Sequence, residues 1–344
     1  MKILLVYSHI PHHSSHSGYD MLARHIPFSS QYQPGKIFRW LSSKNPDKFK
    51  RFKAIHSNWY HFNHFSMEME LSFRINLVNR TIVHFLYGEN NFRYMARFPI
   101  LRGNRTVVSF HQPPGKFLEV IPDHKGIFRA DAIVAVGSSQ MDFFRKLSKR
   151  DNIFLVPHGI DTDYFTPPAQ REDDGVLRCI SVGWWLRDVD KIRSVIKTLG
   201  QIRNSRVEFH IVTFPWCHEF YAGLENVHLH SDISDDALRD LYRKSHLLFL
   251  PLKDCTANNA VLEAMACALP VLTTDVGSIR DYVGEDNAVI APADTEEPLL
   301  DALLEFQKDP ARLKAMGEAS RVRAEKFAWP VVGRQMMDVY RKIG

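Results

Sequence analysis

The stretch LLFLPLKDCTANNAVLEAMACALPVLTTDVGSIRD, residues 247–281, reads in succession as strand, loop, helix, strand and loop. Its two strands, LLFLPL (247–252) and PVLTTD (270–275), are apolar almost throughout, as strands covered on both faces of a parallel sheet are. The same alternation extends outward in both directions. Further strands are expected at 177–183, 207–213, 227–231 and 288–292, and an earlier set at 2–7, 81–87, 106–111, 132–137 and 153–159. Apolar runs alternating with helical patterns define an α/β chain with two doubly wound sheets.

Between the two sets lies GIDTDYFTPPAQREDDG (159–175), with Pro167-Pro168 and an acidic run lacking apolar periodicity. It reads as a linker over 161–176, separating a domain at 1–160 from one at 177–327. Apolar positions at helical spacing follow the last strand, as in Leu299, Leu300, Leu303 and Leu304, then a helix over 311–327. Trp329-Pro330 interrupts the pattern, so 328–344 is expected to be a separate closing helix.

The chain has 344 residues, 45% of them apolar and 24% charged, which suits two globular domains and excludes a disordered or fibrous class. No apolar run approaches the roughly 18 residues of a membrane span, and Ile3 to Tyr7 is too short for a signal-peptide core, so a cytoplasmic location is expected. Four cysteines, 179, 217, 255 and 267, form no CxxC pair and read as reduced, buried thiols. The net charge of +5 conceals an asymmetry: residues 1–160 carry 22 Lys and Arg against 10 Asp and Glu, or +12, and the remainder carries 22 against 29, or −7. A basic half can serve nucleic acid, an anionic membrane or an anionic substrate. The stretch 36–65 interleaves Lys and Arg with aromatics. It reads either as basic amphipathic helices with a buried face or as a surface for anionic headgroups or a lipid-linked acceptor.

Within 247–281 the polar residues cluster where chemistry would be expected. Ligands of a doubly wound sheet collect beyond the carboxyl ends of the strands, where helix N-termini offer unpaired N–H groups and a positive dipole end. Thr256, Ala257, Asn258 and Asn259 stand at the helix start, with Glu263 one turn inside. Asn side chains can donate to a phosphate or a sugar hydroxyl, and Glu263 can accept from the paired hydroxyls of a ribose. The plain alternative is that Asn caps the helix and Glu is solvated.

These residues resemble the nucleotide site of retaining, nucleotide-sugar-dependent glycosyltransferases of the GT-B fold, family four. LEAMACALPVL and VGSIRD stand where that family has its Glu, Ala-Met-Ala and Pro-Val pattern and its following glycine turn. VGSSQ (136–140) and NIFLVPHGIDTDYFTP (152–167) match its interdomain strand and hinge. The resemblance covers most of the chain, strongest from 130 onward and thin across 34–80. It implies two Rossmann-like domains facing a central cleft, a nucleotide-sugar donor of the UDP or GDP type on the C-terminal domain, and a saccharide or lipid-linked acceptor on the N-terminal one. Retention by front-face displacement, without metal or other cofactor, follows from it as an expectation, as does polysaccharide or glycolipid synthesis at the inner face of a membrane.

Carried over residue by residue, the resemblance gives Glu263 the ribose. The first Glu of the family motif is Cys255 here, a poorer acceptor, so Asp254 or the pair Asn258 and Asn259 is expected to take the sugar hydroxyls. Gly183 keeps its place, Trp184 replaces the usual Arg and Val189 the usual Lys, leaving Arg187 as the cation for the departing diphosphate and Lys191 as a weaker substitute. Gly18 stands at the family's glycine turn, with His16 and Ser17 assigned to the acceptor and His111, in SFHQPPG, expected to donate near the reacting sugar. His9, His12, His13 and His16 match no zinc spacing, so no metal is expected. A GT-B epimerase acting on the donor alone is the nearer rival reading. A non-enzymatic nucleic-acid or membrane binder is the remoter one, with no helix-turn-helix, RNA-binding β motif or zinc finger to support it.

Overall fold

In the computed structural model, residues 2–7, 14–33, 59–124 and 126–344 are described. The chain divides into two units. The first comprises 1–13, 18–158 and 329–344; the second comprises 14–17 and 159–328.

The first unit holds a parallel sheet of β1 (Lys2–Val6), β2 (Ser29–Gln31), β3 (Thr81–Phe85), β4 (Arg105–Phe110), β5 (Ala132–Ala135) and β6 (Ile153–Leu155), ordered β2-β1-β3-β4-β5-β6. Side chains alternate between its two faces. Val83, Phe85, Val108, Phe110, Ile133 and Ala135 belong to one apolar cluster with Phe117 and Phe144. Phe117 lies on α2 (Pro114–Val120) and Phe144 on α3 (Ser139–Ser148), both following α1 (Phe62–Arg74) in the chain. On alternate positions His84 is buried and holds Ser109 Oγ at 2.8 Å and Tyr340 Oη at 2.6 Å.

The second sheet runs β7 (Leu177–Val182), β8 (Val207–Val212), β9 (Val227–His230), β10 (Leu247–Leu250), β11 (Val271–Thr274) and β12 (Ala288–Ala291), ordered β12-β11-β10-β7-β8-β9. Its helices are α4 (Val189–Gln201), α5 (Asp235–Lys244), α6 (Asn259–Ala266), α7 (Glu297–Lys308) and α8 (Pro310–Glu325). All four side chains of β10 are buried, Leu248 and Leu250 in one apolar cluster and Leu247 and Phe249 in the other. That explains the unbroken LLFL run. From β7 the chain winds outward through β8 and β9 and then returns to lay β10 on the opposite side, so the order reverses between β7 and β10.

α9 (Trp329–Ile343) belongs to the first unit although it is last in sequence. Its face of Trp329, Val332, Met336, Val339 and Tyr340 is buried. Gly333 is where His25 comes closest, since a Cβ there would stand 2.7 Å from the His25 carbonyl oxygen.

Two sequence expectations need correcting. β2 was not anticipated, because SSQ is short, polar and at the sheet edge, and so carries no apolar pattern. The expected linker is only partly solvated: Ile160 and Phe165 are buried in the second unit's core, and Arg321 donates to the Thr162 and Phe165 carbonyls. Only the tail after Phe165, with its Pro pair and acidic run, is largely exposed. Of the aromatic basic stretch 36–65, residues 36–58 lie outside the described residues, as do His9, His12 and His13.

Candidate functional site

In the second unit the loops after β7 and β10 meet at the reversal point, where an open α/β sheet leaves its crevice. The loop GWWLR (183–187) folds back sharply, with Gly183 at φ +88° and Leu186 at φ +58°. The left-handed φ favours glycine at 183, and a Cβ there would stand 2.9 Å from Arg187 Nη2 and push on that side chain. The fold-back brings Arg187 Nε to the Val182 carbonyl (2.9 Å) and Nη1 to that of Trp185 (3.0 Å). Nη2 reaches Asn258 Oδ1 at 3.4 Å. An isolated bridge between Arg187 and Leu252, with Asp188 N on the Pro251 carbonyl and Lys253 N on that of Leu186, ties the two loops together. Burial lowers the Arg187 pKa to about 10, which leaves it cationic at neutral pH.

Asn258 caps α6, its Oδ1 accepting from Ala260 N at 3.1 Å. The plain capping role is therefore real, and the same oxygen also takes Arg187. One turn further, Glu263 is 3% exposed rather than solvated. Tyr242 Oη donates to its Oε2 at 2.8 Å, and burial pushes the carboxyl above the usual range. The buried Ser17 Oγ has no hydrogen-bond partner among the described residues, yet it stands near enough to Glu263 to favour the ionised form.

Asp254 Oδ1 takes the Cys255 N–H at 2.8 Å, and the Cys255 carbonyl accepts from Ser278 N at 2.9 Å. Gly277, at φ +53°, lets the VGS turn pass there, because a Cβ would meet that carbonyl at 2.0 Å. The Cys255 thiol is buried against the Val276 carbonyl at 3.5 Å, and burial pushes its pKa up to about 12. It is a neutral thiol and cannot act as the carboxylate it replaces. Thr256 is buried, while Ala257 and Asn259 are half-buried beside Asn258.

Other predicted site residues stand elsewhere or do other work. Lys191 Nζ donates to the Ala293 (2.9 Å) and Thr295 (3.0 Å) carbonyls, which compensate its burial and commit two of its three N–H groups. His16 and Ser17 belong to the second unit and not to the first, where the resemblance puts the acceptor. His16 stacks on Tyr164 at 3.5 Å and holds Asp161 at 2.9 Å, while Ser15 donates to Asp235. Gly18 has an ordinary extended backbone (φ −63°), so no left-handed turn requires it, although a Cβ there would crowd Asp20.

In the first unit His111 is half-buried at the end of β4, edge-on to Tyr19 with centroids 4.5 Å apart. Its Nε2–H donates to the Leu86 carbonyl at 2.7 Å, and burial lowers its pKa. That proton is committed to the backbone, so Nε2–H is not the donor expected to reach a sugar. Glu89 accepts the N–H groups of His111 and Gln112, and Gln140 binds Val136 N, Gly137 N and the Phe110 and Gln112 carbonyls. Gln140 thus fixes the β4 and β5 loop ends together. The sequence singled out neither Glu89, Gln140 nor Tyr242. VGSSQ marked the position of Gln140 without its role, and Tyr242 reads as an ordinary core aromatic. Among the described residues no group of three or more His, Cys, Asp or Glu is placed to hold a metal.

Residues 177–309, which include all of this crevice except Ser17, match the family model described as glycosyl transferases group 1. Over that segment the chain is similar to the glycosyl transferases group 1. It is similar to the MMP alpha-(1->4)-mannosyltransferase of Mycolicibacterium hassiacum, 28% identical over 56% of this chain and 49% of that protein. It is also similar to the alpha-maltose-1-phosphate synthase of Mycolicibacterium smegmatis, 24% identical over 62% and 64% respectively. The chain thus spans about half to just under two thirds of the length of these relatives. Among solved structures, Anabaena HepE in complex with UDP matches with a TM-score of 0.69 at 14% identity, covering 99% of this chain and 100% of that one. Sucrose-phosphate synthase from Thermosynechococcus elongatus matches at 0.66 with 17% identity, covering 99% and 98%. At these identities the structural likeness speaks for the fold, two Rossmann-like units of the GT-B class.

Proposed function

We propose that this chain is a retaining glycosyltransferase that moves a sugar from a UDP- or GDP-type donor to an acceptor hydroxyl of a saccharide or lipid-linked acceptor. The observation that carries this reading is the pairing of Arg187 with Asn258 at the opening of α6, one turn from the buried Glu263. Two of the five guanidinium N–H groups of Arg187 remain for phosphate oxygens after its three bonds, and the first N–H groups of α6 add partial positive charge. Glu263 keeps acceptor capacity beyond the Tyr242 bond, enough for a ribose diol. HepE, a fold neighbour, was solved with UDP, which supports the nucleotide half of this reading.

As the sugar–phosphate bond breaks, negative charge grows on the diphosphate. Arg187 and the α6 N–H groups stabilise that charge more than they stabilise the intact donor, which is the condition for acceleration. With no carboxylate assigned as a nucleophile, the leaving diphosphate itself takes the acceptor proton, on the face from which it departs. The charge on Arg187 and α6 serves the diphosphate without a divalent cation. Incubation with UDP- and GDP-sugars in EDTA, followed by nuclear magnetic resonance, tests this. Transfer or slow hydrolysis with retained anomeric configuration is expected. Inversion, dependence on added Mg²⁺ or Mn²⁺, or formation of an epimeric nucleotide-sugar alone would refute it.

A further inference from the structure

At the amino ends of β3 and β4 the first unit carries a surface that the transfer reading does not use. Two segments form it, 73–80 (FRINLVNR) and 97–105 (RFPILRGNR), which together hold five Arg and no Asp or Glu. They are fastened side by side. Asn76 Nδ2 donates to the Pro99 carbonyl at 3.0 Å and its Oδ1 takes Leu101 N at 2.8 Å, while Arg80 N bonds the Arg102 carbonyl at 3.1 Å. Asn104 closes the base, donating to the Ile75 and Val78 carbonyls.

From this braced pair of loops large apolar side chains project into solvent: Leu77 is 75% exposed, Phe73 68% and Leu101 57%, with Val78 and Phe98 beside them in sequence. Arg74, Arg97 and Arg105 have acidic partners in Glu70, Asp123 and Asp131. Arg80 and Arg102 have no ion pair among the described residues, and both hold left-handed backbone, at φ +46° and +62°. Asn or Gly would sit there with less strain, so the conformation does not explain a guanidinium at either position.

We infer that this face docks on an anionic lipid bilayer, the Arg side chains meeting lipid phosphates while Phe73, Leu77 and Leu101 enter the interface. Charge complementarity selects a polyanion, and the apolar side chains spaced among the arginines select a bilayer over a soluble one, since in water their exposure is unfavourable and on nucleic acid it gains nothing. The face is distinct from the basic stretch 36–65 and independent of whether the chain transfers sugar.

The test is co-sedimentation of the full chain with vesicles of phosphatidylcholine alone or mixed with phosphatidylglycerol, at low and high salt. Arg80→Asn with Arg102→Asn removes two charges while suiting the left-handed backbone. It should lower partition onto anionic vesicles about thirtyfold at low salt. Phe73→Ser with Leu77→Ser, both at exposed positions, should lower it about tenfold or more. Unchanged melting of both variants shows that they fold. Unchanged partition in either variant, equal binding to both vesicle types, no binding by wild type, or heparin-bound protein that vesicles cannot recover would overturn the proposal.

Discussion

Tyr242→Phe deletes one hydroxyl from the second unit's core and tests whether Glu263 is held there as an ion. The hydroxyl is fully buried and donates to Glu263 Oε2 at 2.8 Å. A hydrogen bond to a charged acceptor contributes about 1.5–3 kcal/mol, and its loss also leaves part of a buried carboxylate unsatisfied. Burial raises the Glu263 carboxyl, while Tyr242 and Ser17 act against that rise. Removing the hydroxyl lets it rise further. A carboxyl whose folded pKa lies above the unfolded one favours the native state in its protonated form, and that contribution is lost as pH rises through the folded pKa. The variant should therefore lose up to about 1.5–3 kcal/mol where the carboxyl is ionised, and the loss should shrink as pH is lowered from 8 to 5 and the raised carboxyl takes up its proton. Urea unfolding of wild type and variant at both pH values measures the difference. Equal losses at the two pH values, or none, would refute the view that Glu263 is an ion held by Tyr242.

Arg187→Ala should lower turnover by more than it weakens donor binding, because the charge it faces grows on the way to the transition state; a rise in KM alone would count against it. Gly183→Ala should cost about 1–3 kcal/mol of stability through its left-handed backbone and displace Arg187, lowering activity in proportion to the lost guanidinium contact, read by melting temperature and turnover together. On the β8–β9 edge His210 stacks against His228 and His230, and burial with these neighbours lowers its pKa to about 4. The neutral ring is the folded form, so stability is complete above the ordinary value of 6.5 and falls as pH drops toward 4. His210→Gln should remove about 1–2 kcal/mol of that acid sensitivity, allowing for partial solvent exposure, as seen in melting temperature against pH.

Every strand of the second sheet was legible in the sequence: β10 and β11, buried on both faces, leave continuous apolar runs such as LLFL, and β8 alternates buried and half-buried residues. β2 was not, since an edge strand of three polar residues is fixed by its pairing with β1 rather than by its own composition. At the site, Glu263 stood out as a carboxylate inside an apolar helix and Asn258 as a polar residue at its start. Arg187 was ranked above Lys191 from the sequence, but the reason was not legible, because it depends on where loop backbones put carbonyl oxygens: Lys191 finds two at Ala293 and Thr295. The same holds for Ser17, which is 246 residues from Glu263 in sequence and reaches it only through the fold.

In the proposed function Glu263 and Arg187 frame a nucleoside diphosphate. Calorimetric titration of UDP and GDP into wild type and Glu263→Gln, in buffer containing EDTA, tests it most directly. One of the two nucleotides should bind wild type, and the variant should bind it with a loss of about 1.5–3 kcal/mol, roughly ten- to a hundredfold in Kd, while remaining folded with a cooperative melting transition. Absence of binding by either nucleotide, or the same Kd in a folded variant, would contradict it.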